Sequence, residues 1–269
     1  MSQETHAWML GRQGERMTRR FVPLARAALL AAWIAGTAAH SHQTPPGDVY
    51  PVVTRADRGF VVTYRSSIEN RNYAQPYGLD GKPSAAKKAI PKSEVPSPVR
   101  TVNKWPRPKG LSADKEQAVL RVIFLGYGTT AGVVTDGTSA EWIRMTNGDA
   151  SLCRLRISTL EQRCEPLGRV LDGPMGLELL DEPLARGSER AVFWVNEQRQ
   201  LMFSSWERYS EVPVRTRLVG DGFSTNTWLA SAVNGDVALV AAHLPGPKGL
   251  FRIHTWTTLW PVGRGTPDK

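Results

Sequence analysis

Two cysteines in 269 residues restrict the chemistry open to this chain. A four-cysteine zinc site is excluded, and Cys153 and Cys164 are left to pair with each other. Residues 151–157 alternate, with Cys153, Leu155 and Ile157 on one face and Arg154 and Arg156 on the other. A two-residue turn at Ser158-Thr159 would set Leu155 opposite Gln162 and Cys153 opposite Cys164. Directly opposed residues of an antiparallel pair lie about 4.5–5.5 Å apart at Cα, within reach of a disulfide. The alternative is two buried free thiols.

Other chemistries lack their parts. There is no G-x-S-x-G elbow and no Walker loop, and Gly126 and Gly128 lack the rest of a dinucleotide-binding pattern. No cofactor is expected. Beyond residue 42 the histidines are His243 and His254, whose spacing matches no metal signature. Each reads as a lone strand histidine, with the turn at 245–248 bringing His243 near Leu250. Asp136, Glu141, Glu178, Asp181, Asp221 and Asp236 are available for acid/base work, yet nothing isolates a catalytic pair. Among nine tryptophans, Trp142, Trp194 and Trp228 read as core. Trp256 and Trp260 would form a sugar-stacking platform only on a regular strand, and core is again the favoured reading.

The elements that must position these residues begin after an address. Arg19-Arg20 precedes Ala27 to Ala39, thirteen residues without a charge. A membrane-spanning helix needs about 20 apolar residues, so this run suits the apolar region of a secretory signal. Residues 1–41 are therefore expected to be a signal peptide, with Met17 as an alternative start and cleavage after Ala39 or Ser41. An uncleaved membrane anchor is the alternative. Either way, residues 43–269 are expected to be exported, to the periplasm or the extracellular space.

The net charge of +9 is unevenly spread. Lys82, Lys87, Lys88, Lys92, Arg100, Lys104, Arg107 and Lys109 stand against Glu94 alone. Residues 84–109 are rich in proline and lysine and read as a basic linker. Lys87, Lys88, Lys92, Arg100, Lys104, Arg107 and Lys109 are the candidate polyanion-binding residues. No specific nucleic-acid motif is present.

Residues 43–83 read as one antiparallel meander. Tyr50 to Thr54, Phe60 to Tyr64 and Tyr73 to Tyr77 are β-rich, and turns lie at Asp57-Arg58-Gly59 and Leu79 to Pro83. The segment resembles a β-propeller-type repeat of large bacterial surface proteins, P-x-V-…-D-G-G-F-V-V-x-W-x-S-…-Y-x-Q-x-Y/F-x-x-D-G-x-P. Matching residues are Pro51, Val53, Asp57, Gly59, Phe60, Val61, Val62, Tyr64, Ser66, Tyr73, Gln75, Tyr77, Asp80, Gly81 and Pro83. Arg58 stands where the pattern has glycine, and Tyr64 where it usually has tryptophan. The resemblance implies architecture and says nothing of activity.

Residues 110–263 are β-rich, followed by a tail at 264–269. Val119 to Leu125 reads as a buried strand, and Ser112 to Gln117 and Gly176 to Leu184 as short helical turns. A loose repeat places Asn147, Asn196 and Asn234 at spacings of 49 and 38 residues, with units closing at Gly168, Gly220 and Gly263. Those spacings average near the roughly 40–50 residues of a propeller blade. The expected fold is all-β: a β-propeller-like stack of short antiparallel meanders, about four to five blades. The expected function is a non-catalytic interaction module with a protein or glycan partner. The alternatives are a carbohydrate-active enzyme on a propeller scaffold, and binding of an anionic surface through residues 82–109.

Overall fold

Runs of apolar residues too short for helices, separated by glycine- and asparagine-marked turns, fold as successive antiparallel meanders. The computed structural model describes residues 47–96, 111–124, 128–171, 184–224 and 227–260. The expected signal in residues 1–41, the basic residues Arg100, Lys104, Arg107 and Lys109, and the helical reading of 176–183 lie outside them.

Sheet 1 contains β1 (Asp48–Ala56), β2 (Gly59–Ser66), β3 (Arg71–Tyr77) and β4 (Lys88–Ile90). Sheet 2 contains β5 (Thr129–Thr135), β6 (Ser139–Thr146), β7 (Asp149–Arg156) and β8 (Glu161–Arg169). Sheet 3 contains β9 (Leu184–Arg186), β10 (Glu189–Val195), β11 (Leu201–Glu207) and β12 (Arg215–Gly220). Sheet 4 has three strands, β13 (Leu229–Asn234), β14 (Val237–Pro245) and β15 (Phe251–Leu259). Each strand hydrogen-bonds to its neighbour in sequence, so every sheet is a simple up-and-down meander.

The first meander extends further than its repeat pattern suggests. Lys88–Ile90 pairs with β3, so part of the segment read as linker is the fourth strand of sheet 1. Three residues suffice because they only add to an edge that is already formed.

The sheets pack face to face through their middle strands. In β10, Val192 and Trp194 face sheet 2, while Ala191, Phe193 and Val195 face sheet 4. In β14, Ala238, Val240, Ala242 and Leu244 face sheet 3, and Leu239 and Ala241 face sheet 1. Strands covered on both faces read as continuous apolar runs, which is how these two appear in the sequence. Outer strands carry charge instead: β12 is RTRLVG and β8 is EQRCEPLGR.

The repeat glycines have a packing role. A methyl group on Gly168, at the end of β8, would stand 2.6 Å from Trp194 Cη2 of sheet 3. One on Gly220, at the end of β12, would stand 2.5 Å from Trp256 Nε1 of sheet 4. Each glycine is the seat for a tryptophan of the following sheet. Gly263 lies outside the described residues.

The remaining face of sheet 2 is covered by helix α1 (Ala113–Phe124). This corrects the strand reading of Val119 to Leu125 for its described part, and the short turn read at Ser112 runs on to Phe124. A brief apolar run does not by itself distinguish strand from helix. Here Ser112 caps the start, its Oγ accepting from the Lys115 amide at 3.4 Å. Asp114 and Glu116 occupy the first turn, where the helix dipole favours negative charge. Val119 and Ile123, one turn apart, are buried against Trp142, Cys153 and Leu155. At the other end, Arg144 Nη2 donates to the Val122 carbonyl at 2.7 Å.

Candidate functional site

The seam between sheets 2 and 3 holds a buried charge. Glu141 on β6 has no solvent exposure. Its Oε1 accepts from Trp206 Nε1 at 2.7 Å and Arg190 Nη1 at 3.4 Å. Its Oε2 accepts from Arg154 Nε and the Tyr209 amide, both at 3.3 Å. Arg190, itself 3% exposed, also donates to the Gly132 carbonyl at 2.9 Å. A buried carboxylate is tolerated when its lone pairs are taken by charged and neutral donors together. Glu141 is thus a strut across the seam, with both oxygens already engaged.

Strand register explains how the charges meet. Glu141 opposes Arg154, which opposes Arg163, across β6, β7 and β8. The same face continues inward as Ile143 and Leu152, which join the apolar core of the seam. Toward solvent it opens into a cavity of about 420 Å³, walled by Arg154, Arg156, Glu161, Arg163 and Glu165 on one side and by the segment from Tyr209 to Pro213 on the other. That size suits a small ligand. Glu165 is partly engaged, accepting from the Val214 amide at 2.8 Å and pairing with Arg154 at 3.5 Å. Among the described residues, Arg156, Arg163, Glu161 and Glu211 line this cavity without an ion pair. Burial, and then the negative charges of Asp136 and Glu141, push the Tyr209 phenol up to about 12.

The disulfide forms the adjoining corner. Cys153 and Cys164 are bonded with Cα atoms 4.1 Å apart, and the register sets Leu155 opposite Gln162 as the alternation indicates. Cys153 is buried beneath α1, whereas Cys164 borders the cavity.

The other carboxylates are dispersed. Asp136 caps the β5–β6 turn, accepting from the Thr138 and Ser139 amides at 2.8 Å. Asp236, in the β13–β14 turn, pairs with Arg186. Asp221 follows β12 and is exposed. Glu178 and Asp181 lie outside the described residues.

His243 pairs with Ile253 instead of lying near Leu250, because the Pro247–Gly249 turn is followed by a full nine-residue strand. It is 3% exposed and accepts from the Tyr50 amide at 3.4 Å. Among the described residues, no group of three or more His, Cys, Asp or Glu side chains could hold a metal ion. The Trp256–Trp260 platform does not form. Trp260 is buried beside Phe203, and Trp256 packs on Phe223. Trp142 and Trp194 are core residues, while Trp228 is half-buried, edge-on to Tyr50.

Three of the candidate polyanion-binding residues are described. Lys87 pairs with Glu69 at 3.7 Å and lies over the Tyr73 ring. Lys88 is in β4, opposite Ala74. Lys92 borders a second, open cavity of about 550 Å³ together with Arg65, Asn70, Arg71 and Asn72. Arg65 and Arg71 went unnoticed in the sequence because they stand 27 and 21 residues before Lys92, outside the basic segment, and only the β2–β3–β4 ladder brings them to it.

Among the described residues the chain thus forms four antiparallel meander sheets packed face to face, with a buried acid and a polar cavity at one seam. It is similar to an α-L-arabinofuranosidase from Podospora anserina, at 11% identity and a TM-score of 0.30, covering 81% of this chain and 66% of that one. It is also similar to the β-propeller domain of the trilobed protease from Pyrococcus furiosus, at 10% identity and a TM-score of 0.28, covering 79% and 55%. The match to TolB from Acinetobacter baumannii has a TM-score of 0.18. The chain therefore spans about two thirds or less of each of these proteins, and similarity at this level assigns neither activity nor substrate. No protein-family model and no curated protein matches the sequence.

Proposed function

We propose that the protein is a non-catalytic binding module working outside the cytoplasm, with its ligand seat in the cavity between sheets 2 and 3. The observation that carries this reading is the engagement of Glu141. A general acid or base needs a lone pair or proton free to exchange with substrate. Glu141 is sealed from solvent and holds four donors, and Glu165 is taken up by Arg154 and the Val214 amide. The cavity offers the guanidinium groups of Arg156 and Arg163 beside the carboxylates of Glu161 and Glu211, a mixed lining that favours a ligand with both acceptor oxygens and hydroxyl or amide donors, on a glycan or a peptide. The Cys153–Cys164 bridge supports an oxidising, exported setting. Among the described residues, no helix is long and apolar enough to cross a membrane.

Screening glycan and peptide arrays with the protein and with the Arg156→Ala/Arg163→Ala variant tests this. At least one ligand is expected to bind the parent and to lose about tenfold or more in affinity with the variant, as for a lost charge-assisted bond. Glycoside hydrolysis that co-purifies with the protein and disappears in Glu165→Gln or Glu161→Gln would overturn the non-catalytic reading in favour of a carbohydrate-active enzyme.

A further inference from the structure

The tip of the β2–β3 hairpin gathers charge that the seam cavity does not explain. Residues 65–72 and 87–94 carry Arg65, Arg71, Lys87, Lys88 and Lys92 against Glu69 and Glu94, and Asp48 lies opposite Ser66 on β1. Glu69 is answered locally, by Lys87 and by the Tyr73 hydroxyl. Among the described residues, no carboxylate lines the open cavity between Arg65, Arg71 and Lys92. The platform is set by its ladders: Ser66 opposes Arg71, Arg65 opposes Asn72, and Asn72 opposes Ile90. Arg65 Nη2 donates to Asn70 Oδ1 at 2.7 Å, which orients the guanidinium along the groove.

An apolar side chain projects from the same tip. Ile68 is 61% exposed, the most exposed large apolar side chain of sheet 1. The chain enters the fold beside it, since the Gly47 amide donates to Ser67 Oγ at 2.8 Å and the Ser67 amide donates to the Gly47 carbonyl at 2.9 Å. The uncharged run of residues 27–39 lies just upstream of Gly47 in the sequence.

We infer that the β2–β3 hairpin tip and the turn after β4 form a docking face for an anionic phospholipid surface, with headgroup phosphates between Arg65, Arg71 and Lys92 and Ile68 entering the interface. A cationic cluster beside a projecting apolar residue is what interfacial binding to charged lipid requires. A single-stranded nucleic acid would instead use exposed aromatic faces for stacking. The nearest ring, Tyr73, is buried and covered by Lys87. A soluble polyanion would gain nothing from Ile68. This inference is independent of the seam cavity.

Co-sedimentation of the full chain with vesicles of phosphatidylcholine alone, and of phosphatidylcholine with phosphatidylglycerol, tests it. The informative quantity is the preference for the anionic vesicles over the neutral ones, which separates a charge-dependent face from any general affinity for lipid. That preference is expected to be about tenfold or more, and to fall below about twofold in Arg65→Glu/Arg71→Glu/Lys92→Glu. Raising the salt should weaken it likewise. A second measurement leaves the charges in place: Ile68→Cys, labelled with a polarity-sensitive dye, should shift to the blue on anionic vesicles and not on neutral ones. A preference that survives the triple charge reversal, a dye that stays in water on anionic vesicles, or binding to dextran sulfate with none to vesicles each overturns the inference.

Discussion

The Asn234 side-chain amide donates to the Ala56 carbonyl at 2.8 Å, across 178 residues of sequence. The same nitrogen donates to the Gly59 carbonyl, also at 2.8 Å. One residue at the end of β13 therefore holds two backbone carbonyls at the β1–β2 turn, joining the last sheet to the first. Asn234→Ala leaves both carbonyls without this donor. Its expected cost is about 1–3 kcal/mol, read as a lower urea midpoint at unchanged slope.

Glu141 should be intolerant of neutralisation. Glu141→Gln leaves Arg190, and in part Arg154, as cations without a counter-charge at the seam. Removing one partner of a buried pair costs about 3–5 kcal/mol. Adding Arg190→Met in that background is expected to recover part of the loss, because the stranded cation is then gone. Urea melts of the two variants check both halves, and equal stability of Glu141→Gln and the parent would show the strut to be dispensable.

Alkaline stability should report on Tyr209. Its phenol is pushed up to about 12 by burial first, then by Asp136 and Glu141. An unfolded tyrosine ionises near 10. Between those values the unfolded chain sheds a proton that the native state keeps. The contribution to stability is thus whole below pH 10 and is lost as pH rises toward 12. Tyr209→Phe should flatten that part of the stability profile, measured by urea midpoints from about pH 9 to 12.

The glycine seats give a packing test. Gly168→Ala drives a methyl group into Trp194 at a backbone φ of +144°, a conformation that side-chain-bearing residues rarely adopt. Overpacking of this kind costs about 1–3 kcal/mol. Combining it with Trp194→Phe should be less than additive, since the ring that blocks the methyl group is trimmed. Thermal melts of the two single variants and the double variant measure the coupling.

Legibility in the sequence followed locality. The alternation of residues 151–157 placed Cys153 opposite Cys164, although the hairpin closes through a four-residue turn over 157–160 and not the two-residue Ser158-Thr159 turn, because both turns give the same strand register. The apolar runs that form the doubly covered strands β10 and β14 were not singled out, since an apolar run does not by itself show what covers it. Helix α1 was half hidden, since Val119 to Phe124 is equally apolar as strand or helix and only contact with Trp142 and Leu155 decides. The seam was illegible. Glu141 stood among six carboxylates that sequence alone could not rank, and its burial depends on Arg190 and Trp206, 49 and 65 residues away. The basic groove was half visible: Lys92 stood out in its charged segment, whereas Arg65 and Arg71 joined it only through pairing.

The tryptophan seats also give the stack a polarity. Sheet 2 offers a seat and sheet 4 fills one, whereas sheet 3 does both, with Trp194 as key and Gly220 as slot. A tandem copy of sheet 3 would therefore meet its neighbours on either side with complementary parts. In a fold lengthened by repetition, such lock pieces, more than the strands themselves, would govern which module can follow which.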